Sequence, residues 1–209
     1  MTSIILSAII APMDAAPSRK QISHDRIVET AARAIRRAGF HGVGVADIMK
    51  EAGLTHGGFY AHFASRNALL AEALEHAGRE SAARVEKATA PRLARGASPL
   101  RALVESYLAE RNLASPEIGC PVAALASEMP RQADEVRAAA ATRVRSLVAR
   151  VRKALPPDAA AGSAVAVASQ LVGALQLGRA LGDNAEGRAF LATACKCLLA
   201  QYDGAQPLK

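Results

Sequence analysis

The sequence predicts an all-α protein in two parts, a small N-terminal three-helix unit and a larger C-terminal helical bundle. Three observations carry this. Aromatic residues make up only 3% of the 209 residues and Trp is absent, while the apolar residues are mostly Ala, Leu and Val, a composition that favours helices packed through small side chains over aromatic-rich sheets. Apolar residues recur at 3- and 4-residue steps in one segment after another, the spacing of a buried helical stripe. Gly, Pro and Ser punctuate those segments where helices start and stop. At this length the chain buries a substantial core.

The first helix is expected from Ser23, an N-cap with Asp25 in the first turn, and it carries Ile27, Ala31, Ala34, Ile35 and Ala38 on one side before Gly39 ends it. Val45 to Ala52 reads as a short second helix presenting Val45, Ile48 and Ala52. Gly53-Leu54 then turns the chain into a third, Thr55 to Phe63. Two short helices joined through a glycine turn are the helix-turn-helix pattern. A long fourth helix, capped by Ser65, repeats Leu69, Leu70, Ala73, Leu74, Ala77 and Val85 to about Ala90, with Pro91 to Ser98 as the break after it. Ser98-Pro99 starts a helix whose apolar face is Leu100, Leu103, Val104, Tyr107 and Leu108.

A turn through Pro116 and Gly119 precedes a helix opened by Pro121, with Val122, Leu125, Ala126 and Met129 on one face and Pro130 as its stop. Val136 to Leu155 forms an amphipathic helix whose other side carries Arg143, Arg145, Arg150 and Arg152, expected to be a solvated basic face. Asp158 to Leu181 and Ala185 to Tyr202 complete the chain. Both are nearly uncharged over long runs, so each needs burial on more than one side, and a second subunit supplies it. Leu175 and Leu198 are expected in that seam.

The net charge is +7, and its placement narrows the function. Residues 17–66 carry 8 Lys/Arg against 4 Asp/Glu, a net +4 within 50 residues, the denser positive region that phosphate binding requires. Cys120, Cys195 and Cys197 form an odd set without paired spacing, which points to a reducing cytoplasm rather than a disulfide framework. The five histidines lack zinc-site spacing, and no cofactor motif occurs, so neither metal nor cofactor is expected. The apolar stretch Ile4 to Ala11 is too short to span a bilayer and has no basic residues before it; no membrane association is expected.

The segment Gly42 to Arg66, GVGVADIMKEAGLTHGGFYAHFASR, resembles the TetR family of regulators. The likeness extends over about Ser23 to Leu74 and includes the D-I-x-x-x-A-G-L turn, the F-Y-x-H-F cluster and the S-R-x-x-L-L entry into the next helix. GCPVAALASEM, residues 119–129, is similar to a segment common in one branch of that family. The resemblance implies a flexible tail over 1–22, a helix-turn-helix DNA-binding domain over 23–68 and a helical ligand-binding and dimerisation domain over 69–209.

Side chains at the N-terminal end of a recognition helix face base edges, which selects Thr55, His56, Gly57 and Gly58, the glycines letting backbone approach DNA. Tyr60 and His62 lie on the face opposite Phe59 and Phe63 and can donate to phosphate oxygens. The resemblance also places a phosphate contact at Arg66, and Arg19 and Lys20 precede the first helix as an arm for the adjacent minor groove. Gly44 stands where the family often has a capping Ser or Thr. In the C-terminal part, Leu103, Tyr107, Leu125, Met129, Leu147, Gln170 and Leu171 are expected to line a mostly apolar pocket, with Tyr107 and Gln170 its polar groups and no buried counter-ion for a charged ligand. The function implied is a homodimeric repressor on a palindromic double-stranded operator, released by a small apolar or aromatic effector. The alternative is a helical-bundle carrier or enzyme, but no nucleophile-base pair, Glu-x-x-His pattern or glycine-rich phosphate loop is present.

Overall fold

The computed structural model describes residues 18–203, and among them every regular element is helical. Ile4 to Ala11, and the tail expected up to residue 17, lie outside the described residues. Helix α1 spans Arg19–Ala38, five residues longer at its start than the sequence suggests. The cap is Ser18 rather than Ser23: its hydroxyl accepts the Gln21 amide at 3.1 Å, and Gln21 in turn bonds Asp25 at 2.7 Å one turn on. Arg19 and Lys20 therefore form the first turn of α1 and are not part of a flexible arm.

Helix α2 (Val45–Glu51) ends at Gly53, whose φ of +69° is open to glycine without cost. Leu54 N donates to Met49 O at 2.8 Å and Gly53 N to Lys50 O at 3.0 Å, the paired closure of a Schellman end. The next element is a 3₁₀ helix, His56–Ala61, where a longer α-helix was expected. Gly57 and Gly58 explain the difference, since each costs about 1 kcal/mol relative to Ala in an α-helix and short 3₁₀ turns tolerate them. Ile27, Ala31, Ile35, Phe40, Ile48, Met49 and Phe59 close the core of this head.

Helix α3 (Arg66–Leu93) is capped by Ser65, as expected, and runs through Pro91 into its last turn. At 28 residues it is about 42 Å long. Its first turns complete the core of the head and its later turns pack against α4 (Pro99–Tyr107) and α7 (Asp134–Ala154). Between them come α5 (Arg111–Ala114), a 3₁₀ turn at Pro116–Ile118, α6 (Pro121–Leu125) and a 3₁₀ turn at Met129–Arg131.

Helix α8 (Ser163–Leu181) starts five residues later than expected because Gly162, at φ +88°, breaks the helical path. It pairs with α9 (Ala185–Tyr202) across a seam of small residues. A Cβ on Gly178 would fall 2.9 Å from Leu191 Cδ2, and one on Gly187 2.1 Å from Gly182 O, so only glycine permits this approach. Leu175 and Leu198 are 1% and 2% exposed inside the protomer, which corrects their assignment to a subunit seam. The outward face of α8 carries Val165 and Leu177 instead, 55% and 57% exposed.

Candidate nucleic-acid interface and effector site

The glycine turn sets the 3₁₀ helix so that Phe59 points inward, stacking on Phe63 with ring centroids 5.6 Å apart. Tyr60, 75% exposed, points outward. Three residues per turn place Gly57 on the same side as Tyr60, and Thr55, His56 and Gly57 are all exposed. A Cβ at Gly57 would meet nothing within 4 Å and one at Gly58 only ordinary contacts at 3.8 Å. Neither has the left-handed φ that favours glycine. The fold itself does not require these two glycines.

His62 is half-buried rather than free on the surface. Its ring lies 6.0 Å from His24, its Nδ1 is buried without a partner, and burial first, then His24 and Lys20, push its pKa below 6.5. Arg19 and Lys20 are exposed at the start of α1, with Lys20 near enough to His62 to act on it. Arg66 turns inward: its Nη2 donates to Phe40 O and, at 3.3 Å, to Val43 O. The expectation of a phosphate clamp there gives way to a tie that holds the loop before α2. Gly44 caps α2 with no side-chain hydrogen bond.

In the C-terminal part the expected pocket residues separate. Leu103, Tyr107 and Leu147 do share a cavity of about 30 Å³, with Val85, Cys120, Arg143 and Arg150. Met129 lines a different, open groove of about 330 Å³ with Ala126 and Val144. Leu125 and Leu171 are fully buried core, and Gln170 lies on the exposed face of α8, so it does not orient a ligand here. The absence of a buried cation was also an incorrect expectation. The Arg143 side chain is 13% exposed and reaches Glu75 at 3.4 Å, so the basic side of α7 is not merely solvated. Tyr107 is 4% exposed, its hydroxyl has no partner, and burial first and then the Cys120 thiol push its pKa well above 10.

Arg36 joins the two halves. Its buried guanidinium donates to Glu80 Oε2 at 2.6 Å, to Gly119 O at 3.0 Å and to Ala32 O at 2.9 Å. Gly119 adjoins Cys120 in the cavity wall, so α1 of the head is bonded directly to that wall. A second tie runs from Phe40 N to Glu128 Oε2 at 3.0 Å. Sequence reasoning missed both, along with Arg179. Arg179 did leave a signal, as the single charged residue between Asp158 and Asp183.

The profile for bacterial regulatory proteins of the tetR family matches residues 27–73, and a tetracyclin repressor-like C-terminal domain matches residues 96–193. An HTH-type transcriptional regulator of Mycobacterium tuberculosis is 32% identical over 170 residues, 76% of this chain and 85% of that protein. The fold is shared with a TetR-family regulator from Agrobacterium tumefaciens (TM-score 0.68, 23% identity, 88% of this chain and 99% of that one). It is also shared with the reduced form of NemR from E. coli (TM-score 0.70, 18% identity, 90% and 100%). With the helix-turn-helix and the helical domain in the family's order, the chain belongs to the TetR family of DNA-binding transcriptional regulators.

Proposed function

We propose that the chain is a cytoplasmic homodimeric repressor that holds a palindromic operator and releases it when a small molecule enters the space around Tyr107. The observation that carries the reading is the bonded path from that space to the head: Cys120 and Tyr107 line the cavity, Gly119 adjoins Cys120, and Arg36 of α1 donates to Gly119 O at 3.0 Å. A ligand that displaces this wall moves α1, and with it the recognition element. Spacing is the sensitive variable, because two recognition elements must reach half-sites about 34 to 36 Å apart.

Thr55, His56, Gly57 and Gly58 would face base edges, with Gly57 bare so that backbone approaches the groove. Tyr60, Arg19 and Lys20 would contact phosphates, and His62 offers a neutral hydrogen-bonding ring. The effector space is apolar along Val85, Leu103, Val122 and Leu147 and cationic at Arg143 and Arg150.

The test begins with operators selected from a library of random palindromes. Tyr60→Ala should weaken binding to selected and scrambled DNA alike with the salt slope little changed, since a neutral hydroxyl displaces no counterion, whereas Lys20→Ala should lower the slope of log affinity against log salt by about 1. His56→Ala should narrow the gap between selected and scrambled sites by roughly 5- to 100-fold, the worth of one base contact. If His56→Ala leaves the gap intact, His56 does not read bases; if no palindrome is enriched, the operator reading fails.

A further inference from the structure

Two cavities of about 30 Å³ each share Ser81, Val85, Tyr107 and Cys120 in their walls, and each has room for a water or two. Arg143 and Arg150 line the first, Arg84 and Arg111 the second, and no Asp or Glu lines either. Arg143 and Arg84 reach carboxylates outside the cavities, Glu75 at 3.4 Å and Glu80 at 3.6 Å. Among the described residues, Arg111 and Arg150 make no ion pair.

Arg179 of α8 stands behind the second cavity. Its Nε donates to Asn112 O at 3.0 Å, while Nη1 and Nη2 are buried with no partner and no described carboxylate lies within 4.0 Å. Nη2 lies against Gly119, where a Cβ would approach it to 2.9 Å. A guanidinium with two buried, unpartnered nitrogens near an unpartnered buried hydroxyl is expensive to maintain in a core. Both are donors, since the raised pKa of Tyr107 keeps its proton in place. Two donors, one of them charged, are matched by the two oxygens of a carboxylate.

We propose that this corner binds a small organic carboxylate, whose oxygens accept from the Arg179 guanidinium and the Tyr107 hydroxyl and whose short tail packs against Val85, Leu103 and Leu147. A cation would meet arginines from both cavities, and a neutral compound would leave Arg179 with no counter-charge nearer than Glu117, which lies beyond 4.0 Å. An inorganic anion would make no use of the apolar wall. The small volume limits the acid to a few carbons, with the wall the two spaces share, Tyr107 and Cys120 among its residues, yielding to join them. The proposal rests on the reading of this space as the effector site and gives the effector a chemical class.

The experiment compares propionate and butyrate with propionamide and butyramide, which match them in shape without the charge. Binding to the full-length protein is read by thermal shift and calorimetry, with sodium phosphate as the inorganic anion. The acids should raise the melting temperature with dose and bind at least 10-fold tighter than the amides and than phosphate. Tyr107→Phe, which removes one hydroxyl, and Arg150→Gln, at a half-buried cavity edge, should each reduce that preference at least 5-fold while leaving the circular dichroism spectrum unchanged. Amides binding as tightly as acids, phosphate binding as tightly, or no binding by either acid overturns the carboxylate site. Operator release is measured separately. Acids that bind without changing operator affinity leave the site standing and refute its role as an effector site, whereas amides that release DNA refute the carboxylate class and keep the effector reading.

Discussion

His62 is held in the reading head by contacts that disfavour its charged form: its Nδ1 is buried, His24 is 6.0 Å away, and Lys20 adds positive potential. His24 is itself engaged, its Nε2 2.6 Å from Glu72 Oε1 and its ring stacked on Phe63 at 4.6 Å. The folded-state pKa of His62 thus lies below the 6.5 of the unfolded chain. Protons then bind the unfolded state more readily, so the cost to stability is absent well above pH 6.5 and grows as pH falls through and below it. His62→Asn should lose part of the decrease in urea midpoint between pH 7.5 and 5.0. A variant that keeps the wild-type decrease in full places the titration elsewhere. The same physics favours the neutral form of His62 near pH 7.

Between elements, the turn that follows α6 acts as a strut. Glu128 Oε2 accepts the Phe40 amide at 3.0 Å, and a side chain on Gly39 would collide with the same carboxylate, its Cβ 2.4 Å from Oε1. Gly39 also has a φ of +79°, so glycine is required there twice over. Glu128→Ala leaves the Phe40 amide without its acceptor, a loss of about 1 to 3 kcal/mol for a charged hydrogen bond. Amide exchange over residues 39–43 should accelerate by roughly 5-fold or more, while exchange in α8 and α9 stays unchanged. Exchange over 39–43 equal to wild type would show that Glu128 does not hold the head. Arg36 is the stiffer of the two ties, because its side chain is fully buried and donates to three acceptors at once.

For the whole molecule, the face of α8 turned away from its own core is the surface on which the proposed dimer can be tested. An 18-residue stretch of this helix has a mean hydropathy of 1.3, and only 39% of it is buried within one chain, with Val165 and Leu177 facing outward. Under the dimer proposed above, a second copy covers this face. Leu177→Glu should shift the sedimentation equilibrium toward monomer with the melting temperature of the protomer little changed. Leu175→Glu, two residues away, buries a carboxylate in the protomer core and should unfold it. A Leu177→Glu protein that remains a full dimer would remove α8 from the interface.

The sequence by itself determined the all-α class, the glycine turn after α2, the Ser65 and Ser98 caps and the family, because these rest on local rules: helical periodicity, capping and the short F-Y-x-H-F motif. It misjudged what depends on which side chains meet. Arg66 was legible as a cation, but its loop-carbonyl acceptors at Phe40 and Val43 are 23 and more residues away. Gln170 shares a helix with Leu171, yet only the packing of α8 shows that one faces out and the other in. Arg179 was visible as a lone charge, but its orphaned guanidinium beside Tyr107 exists only once α4, α8 and the Gly119 turn converge. Periodicity tells which residues a helix can bury, whereas the partners of a buried charge are set by segments far apart in the chain. Those partners decide the chemistry of this site, and only the tertiary structure brings them together.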